Sequence, residues 1–97
     1  MGGEGCDQEG QRMNFGEALA ACKQGQRIAR KGWNGKGLFV YYVPANRYAA
    51  QTQVAKDYFG ERVPYRDYLV MKTVDEDAVP WVASQSDLLC DDWQVVT

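Results

Sequence analysis

Histidine is absent from all 97 residues of this sequence. That removes the commonest general base and the commonest neutral metal ligand together, so an acid–base or metal-dependent enzyme would need less usual groups. Cysteine is scarce. Cys6, Cys22 and Cys90 are odd in number, widely spaced and without histidine companions, which fits neither a disulfide framework nor a zinc site. Free thiols are the expectation. Long apolar runs are missing as well: the longest, Leu38 to Pro44, is far short of the roughly 20 residues of a membrane-spanning helix. The start of the chain lacks an apolar segment flanked by charge and a cleavage site, so a cytoplasmic location is expected. Nor is there an excess of positive charge. A net charge of −2 and a pI near 5.0 oppose a general nucleic-acid binder, whose footprint is basic.

What is present is the composition of an ordinary folded domain, with 45% hydrophobic and 25% charged residues. A chain this short has room for a single core. Its charges are segregated. From Lys23 to Gly37 every charged residue is basic (Lys23, Arg27, Arg30, Lys31, Lys36), and from Asp75 to Thr97 every one is acidic (Asp75, Glu76, Asp77, Asp87, Asp91, Asp92). This pattern predicts one positive and one negative end, able to hold an anionic ligand or to pair subunits head against tail.

Residues 1–12, "MGGEGCDQEGQR", are glycine-rich and without hydrophobic pattern, and read as a disordered leader or tag remnant ahead of a single domain over 13–97. In "NFGEALAACKQGQ", Asn14 with Glu17 forms a capping pattern, Phe15, Leu19 and Cys22 recur at helical spacing, and Gly25 closes the helix. Arg27 to Ala29 begin a strand. "LFVYYV" is a buried strand stopped by Pro44. Ala45 to Tyr65 fits either a helix ending at Gly60 or an ordered loop. "YLVMKTV" and "AVPWVA" form a hairpin around "DED", with Pro80 marking an edge or bulge. Ser84 with Asp87 opens a short helix near the C-terminus, and "DWQVV" is the last strand. The fold class is α+β: an N-terminal helix packed on a mostly antiparallel sheet of four or five short strands.

The stretch "RKGWNGKG", Arg30 to Gly37, has no apolar periodicity and too much glycine for a helix. As a binding loop it offers cations from Arg30, Lys31 and Lys36, a flat face from Trp33, the Asn34 amide, and glycines that let a ligand approach. That set suits a phosphorylated purine. As a plain hairpin loop, Asn34-Gly35 is simply a strong turn and the lysines are solvated. In "PWVASQSDLLCDDW", Trp81 and Trp93 bracket the short helix, with Ser84, Gln85 and Asp87 at its start. They either line a polar pocket or pack and cap, the second reading being favoured for Trp93 and Asp87. Six tyrosines form a looser group. Tyr41 and Tyr42 face opposite sides of a strand, so only one of them can belong to a given pocket.

Together, "MNFGEALAACKQGQRIARKGWNGKGLFVYYVP" and "MKTVDEDAVPWVASQSDLLCDDWQVV" resemble the small phage Thoeris anti-defence two proteins. The resemblance implies a sponge: a homotetramer that binds cyclic ADP-ribose isomers made by Thoeris TIR-domain proteins, in pockets at subunit interfaces, without degrading them. Some members also hold cyclic dinucleotides at a separate site. It implies ligand roles for Trp33 and Asn34, then for Ser84, Gln85 and Asp87, to which the reading of the residues themselves adds Arg30, Lys31, Lys36, Tyr41 and Trp81, and it implies neither cofactor, metal, membrane nor nucleic acid. The segment from Ala45 to Asp67 varies among members and leaves ligand preference open. Three other readings compete: a ring-opening hydrolase using Asp87 or Asp91, an inhibitor that binds a defence protein through its aromatics, and a single-strand nucleic-acid binder.

Overall fold

A capping box starts the first helix, α1 (Phe15–Lys23): the Glu17 N–H donates to Asn14 Oδ1 at 2.8 Å, and the Asn14 N–H donates to Glu17 Oε1 at 2.9 Å. The helix ends in a Schellman motif. Gly25 sits at φ 103°, its N–H donates to the Cys22 carbonyl and the Gln26 N–H reaches the Ala21 carbonyl, a geometry that glycine adopts without strain. These features come from a computed structural model that describes residues 13–33 and 37–97. The expectations for residues 1–12, Asn34, Gly35 and Lys36 lie outside the described residues.

The strands follow as β1 (Arg27–Arg30), β2 (Phe39–Val43), β3 (Asn46–Ala49), β4 (Arg62–Tyr65), β5 (Tyr68–Lys72), β6 (Ala78–Pro80) and β7 (Trp93–Val96). Helix α2 (Gln53–Phe59) lies between β3 and β4, and α3 (Gln85–Leu89) precedes β7. Five strands form one antiparallel sheet in the order β6-β5-β2-β1-β7. Pro80, which has no N–H to donate, falls on its edge strand β6.

Alternation along the strands sorts the two faces of this sheet. Ile28 pairs with Val40 and Val95, and Ile28, Val40 and Trp93 are buried with Ala18 and Cys22 of α1 in one core cluster. Burial of Ile28 and Val40 contributes about 1.5–3 kcal/mol each, and α1 covers them with the small Ala18 and Cys22 side chains. Tyr42, Leu69 and Met71 pack against the cluster on the same side. Phe39 and Tyr41 point away from α1, and the Arg27 guanidinium lies over the Phe39 ring at 4.7 Å.

Residues 45–65 form neither a loop nor a helix alone. Helix α2 does end at Gly60, but β3 and β4 flank it as a separate two-stranded sheet, in which Tyr48 pairs with Val63. No residue of α2 is buried, and Val54 and Tyr58 remain about four-fifths exposed. This arm packs mainly on itself.

Two expectations are corrected. The basic and acidic stretches do not mark opposite ends, because β7 lies directly beside β1, and Arg30 forms ion pairs with both Asp87 and Asp92. Cys90 is disulfide-bonded rather than a free thiol, whereas Cys22 is free and buried. Sequence spacing conceals both facts. The chain at Met13 runs parallel to Asp92, and the Trp93 N–H donates to the Met13 carbonyl at 3.1 Å, so segments distant in sequence adjoin in space.

Candidate functional site

The antiparallel turn from β1 to β2 carries the glycine- and cation-rich loop. At its near root, the Lys31 N–H donates to the Asp92 carbonyl at 2.9 Å and the Trp33 N–H to the Arg30 carbonyl at 3.2 Å. At its far root, Gly37 holds φ 84°, and an added Cβ would lie 3.1 Å from Lys72 Nζ. The positive φ is what favours glycine there, since the Lys72 terminus could move aside for a Cβ. Gly32 needs no positive φ and has ordinary room around it, so its absence of a side chain is not demanded by the backbone.

Trp33 is not a free platform. It is half-buried, and its ring meets Trp93 edge-on at 5.4 Å and Trp81 at 6.3 Å, with Phe15 completing the aromatic group through both partners. Trp93 is wholly core at 1% exposure, and its indole N–H donates to the Asp87 carbonyl at 2.8 Å. The packing reading of Trp93 holds. Trp81 is half-buried between core and surface.

Arg30, Asp87 and Asp92 form an ion-paired cluster beside these rings. Arg30 Nε donates to Asp92 Oδ1 at 2.9 Å and Nη1 to Asp87 Oδ1 at 3.0 Å. Asp87 also caps α3, accepting from the Ser84 N–H at 2.9 Å while its own N–H donates to Ser84 Oγ at 3.1 Å. Burial pushes the Asp87 carboxyl upward, but the Ser84 N–H, the Arg30 guanidinium and the Ser84 hydroxyl outweigh it and hold it below its ordinary value. Hydrogen bonding to Asp92 raises the Arg30 guanidinium against its own desolvation, so it stays charged.

Ala29, Arg30, Lys31, Trp33, Gly37, Leu38, Gln94 and Val96 line one depression of about 220 Å³. Of the residues singled out from sequence, it gathers Arg30, Lys31 and Trp33. Trp81 touches the Trp33 ring, and Asp87 meets Arg30 of the depression from the start of α3, where Ser84 is its capping partner. Gln85 is exposed in the first turn of that helix, while Tyr41 lies on the sheet face away from α1, with its ring 6.1 Å from Phe39. The sequence reading did not single out Leu38, Gln94 or Val96, because single residues from separate strands carry no local signal. A second depression of about 210 Å³, lined by Leu19, Lys23, Tyr42, Asp67, Tyr68 and Leu69, was also unforeseen. There the Tyr42 hydroxyl donates to Asp67 Oδ2 at 2.7 Å, which raises its pKa. Among the described residues, no three Cys, Asp or Glu side chains are grouped to hold a metal ion, and no helix is long and apolar enough to cross a membrane.

A short α+β domain carrying a basic, tryptophan-bearing loop over an ion-paired sheet edge is the class these features define. The family model for the Thoeris anti-defense 2-like domain matches residues 13–96. Thoeris anti-defense 2 of Bacillus phage SP01 is 37% identical to this chain over 87 residues, covering 89% of the chain and 97% of that relative. The chain belongs to the Thoeris anti-defense 2-like family, and its functional class is phage anti-defence.

Proposed function

We propose that this protein is a sponge: it binds a cyclic ADP-ribose isomer and holds it intact, so that a Thoeris effector in the cytoplasm of the infected host is not activated. The observation that carries the reading is the meeting of Lys31 and the Trp33 indole at one depression in a chain of this family. An adenine nucleotide with a diphosphate offers a flat base for the indole and negative charge for an exposed lysine. Stacking of a base on an aromatic ring contributes about 1–3 kcal/mol.

The depression, at about 220 Å³, falls below the roughly 300 Å³ at which pockets for drug-sized ligands begin. A second subunit closing over it would supply the remaining walls, which favours a homo-oligomer, proposed as a tetramer, with the site at an interface. Asn34 and Lys36 belong to the same proposed site by their place in the loop, and a separate site for a cyclic dinucleotide remains part of the family-based proposal. The proposed action is sequestration and not hydrolysis, without cofactor.

Equilibrium dialysis against cyclic ADP-ribose isomers, followed by heat release and chromatography, tests both halves of this reading. Ligand retained and then recovered unaltered supports it. Linearised ligand, accumulating with substoichiometric protein, would replace the sponge by a hydrolase. A second reading draws on the exposed Val54, Tyr58 and Phe59 of the arm. Such a patch suits contact with a defence protein, and co-purification of that protein without nucleotide would favour it.

A further inference from the structure

The sequence reading treats Arg30 as a donor to phosphate, but the geometry spends its guanidinium elsewhere. Besides the bonds from Nε to Asp92 and from Nη1 to Asp87, Nη2 reaches Asp92 Oδ2 at 3.4 Å. The three side chains are only 12%, 12% and 6% exposed for Arg30, Asp87 and Asp92. One cation between two carboxylates leaves a net negative cluster, which repels an anion rather than recruiting it.

The same residues fix the loop. The Asp92 carbonyl accepts the Lys31 N–H, the Arg30 carbonyl accepts the Trp33 N–H, and the Asp87 carbonyl accepts the indole N–H of Trp93, against which Trp33 rests. We infer that Arg30, Asp87 and Asp92 are positioning residues that hold the Trp33 ring in its binding orientation, leaving the ligand's negative charge to Lys31. This inference rests on the sponge reading. It assigns Arg30 and Asp87 an action through Trp33 and Trp93 rather than direct contact with ligand. A lysine at position 30 would preserve the charge but lose the planar fork that serves two carboxylates at once.

The test compares Arg30→Lys, Asp87→Asn and Lys31→Gln, with glycocyclic ADP-ribose as the probe. Affinity is measured over a range of sodium chloride concentrations, and the tryptophan indole N–H resonances are recorded without ligand. Arg30→Lys and Asp87→Asn should both weaken binding about tenfold to a hundredfold and displace the Trp33 and Trp93 resonances, and Arg30→Lys, which conserves charge, should leave the salt dependence unchanged. Lys31→Gln should flatten the salt dependence and leave those resonances in place. Arg30→Lys binding as tightly as the unmodified protein would overturn the inference. So would a weaker affinity with unmoved indoles, the mark of direct contact with the ligand. Should Arg30→Lys lose its folded indole dispersion, Asp87→Asn, which keeps an acceptor for the α3 cap, decides alone by the same criteria. Titration of the unmodified protein comes first: no binding there overturns the sponge reading and this inference with it, whereas binding there with normal variants overturns the inference only.

Discussion

Replacing Trp33 by alanine separates its packing role from its proposed stacking role. The substitution removes edge-to-face contacts with Trp93 at 5.4 Å and Trp81 at 6.3 Å. Each such pair contributes about 0.5–1.5 kcal/mol, so the two together contribute about 1–3 kcal/mol. The cost of truncating a fully buried aromatic, about 3–5 kcal/mol, is a ceiling here because the ring is half-buried. A loss near 2 kcal/mol, divided by a urea dependence of about 1–3 kcal/mol per molar, lowers the unfolding midpoint by roughly 1 M. A domain with typical stability of about 5–15 kcal/mol remains folded after that loss. Removing a stacked base contact takes a further 1–3 kcal/mol or so from binding, about fivefold to a hundredfold or more in affinity. Urea unfolding and calorimetric titration of Trp33→Ala and Trp33→Phe read the two effects separately, with phenylalanine retaining a flat ring and recovering part of each. A folded alanine variant that binds normally refutes the stacking role. One with an unchanged midpoint refutes the packing derived from the aromatic cluster.

Other expectations follow from the caps, the core and the ion pairs. Asn14→Ala removes the acceptor for the Glu17 N–H and should cost about 0.5–2 kcal/mol, visible as a lower urea midpoint. The folded pKa of Asp87 is depressed, so its contribution is complete above the unfolded value of about 4 and disappears as pH falls through the lower folded value. Asp87→Asn should therefore flatten the loss of stability on acidification below about pH 4, and an unchanged acid profile would remove Asp87 from the account. Cys22 is fully buried and burial pushes its thiol pKa up, so alkylation at pH 8 should be slow in the folded protein and fast in denaturant. Equal rates, read by mass spectrometry on the Cys22 peptide, would mean that α1 does not stay docked on β2.

Elements with strong local signals were legible from sequence. The Asn14 and Ser84 caps mark the starts of α1 and α3, Gly25 marks the end of the first, and the β-branched and aromatic run at 39–43 marks β2. The strands β3 and β4 were not legible. "NRYA" and "RVPY" bury only Val63 among their residues, so neither shows the apolar alternation by which a strand is recognised. Trp33 was visible as a distinctive residue in a loop, but its contacts with Trp81 and Trp93 arise from the meeting of distant segments. Arg30 illustrates the same limit: its charge suggested a ligand contact, whereas its partners Asp87 and Asp92 lie 57 and 62 residues away in sequence. Pairing of β1 with β7 brings Asp92 beside Arg30, and a charge count along the chain cannot see that pairing.

The most direct measurement is an isothermal titration of the unmodified protein with glycocyclic ADP-ribose, other cyclic ADP-ribose isomers and cyclic dinucleotides. Saturable binding of a cyclic ADP-ribose isomer, with the ligand recovered whole on denaturation, is the predicted result. Absence of binding across the series, in a protein whose indole resonances show it folded, would contradict the account and leave "RKGWNGKG" as a hairpin loop.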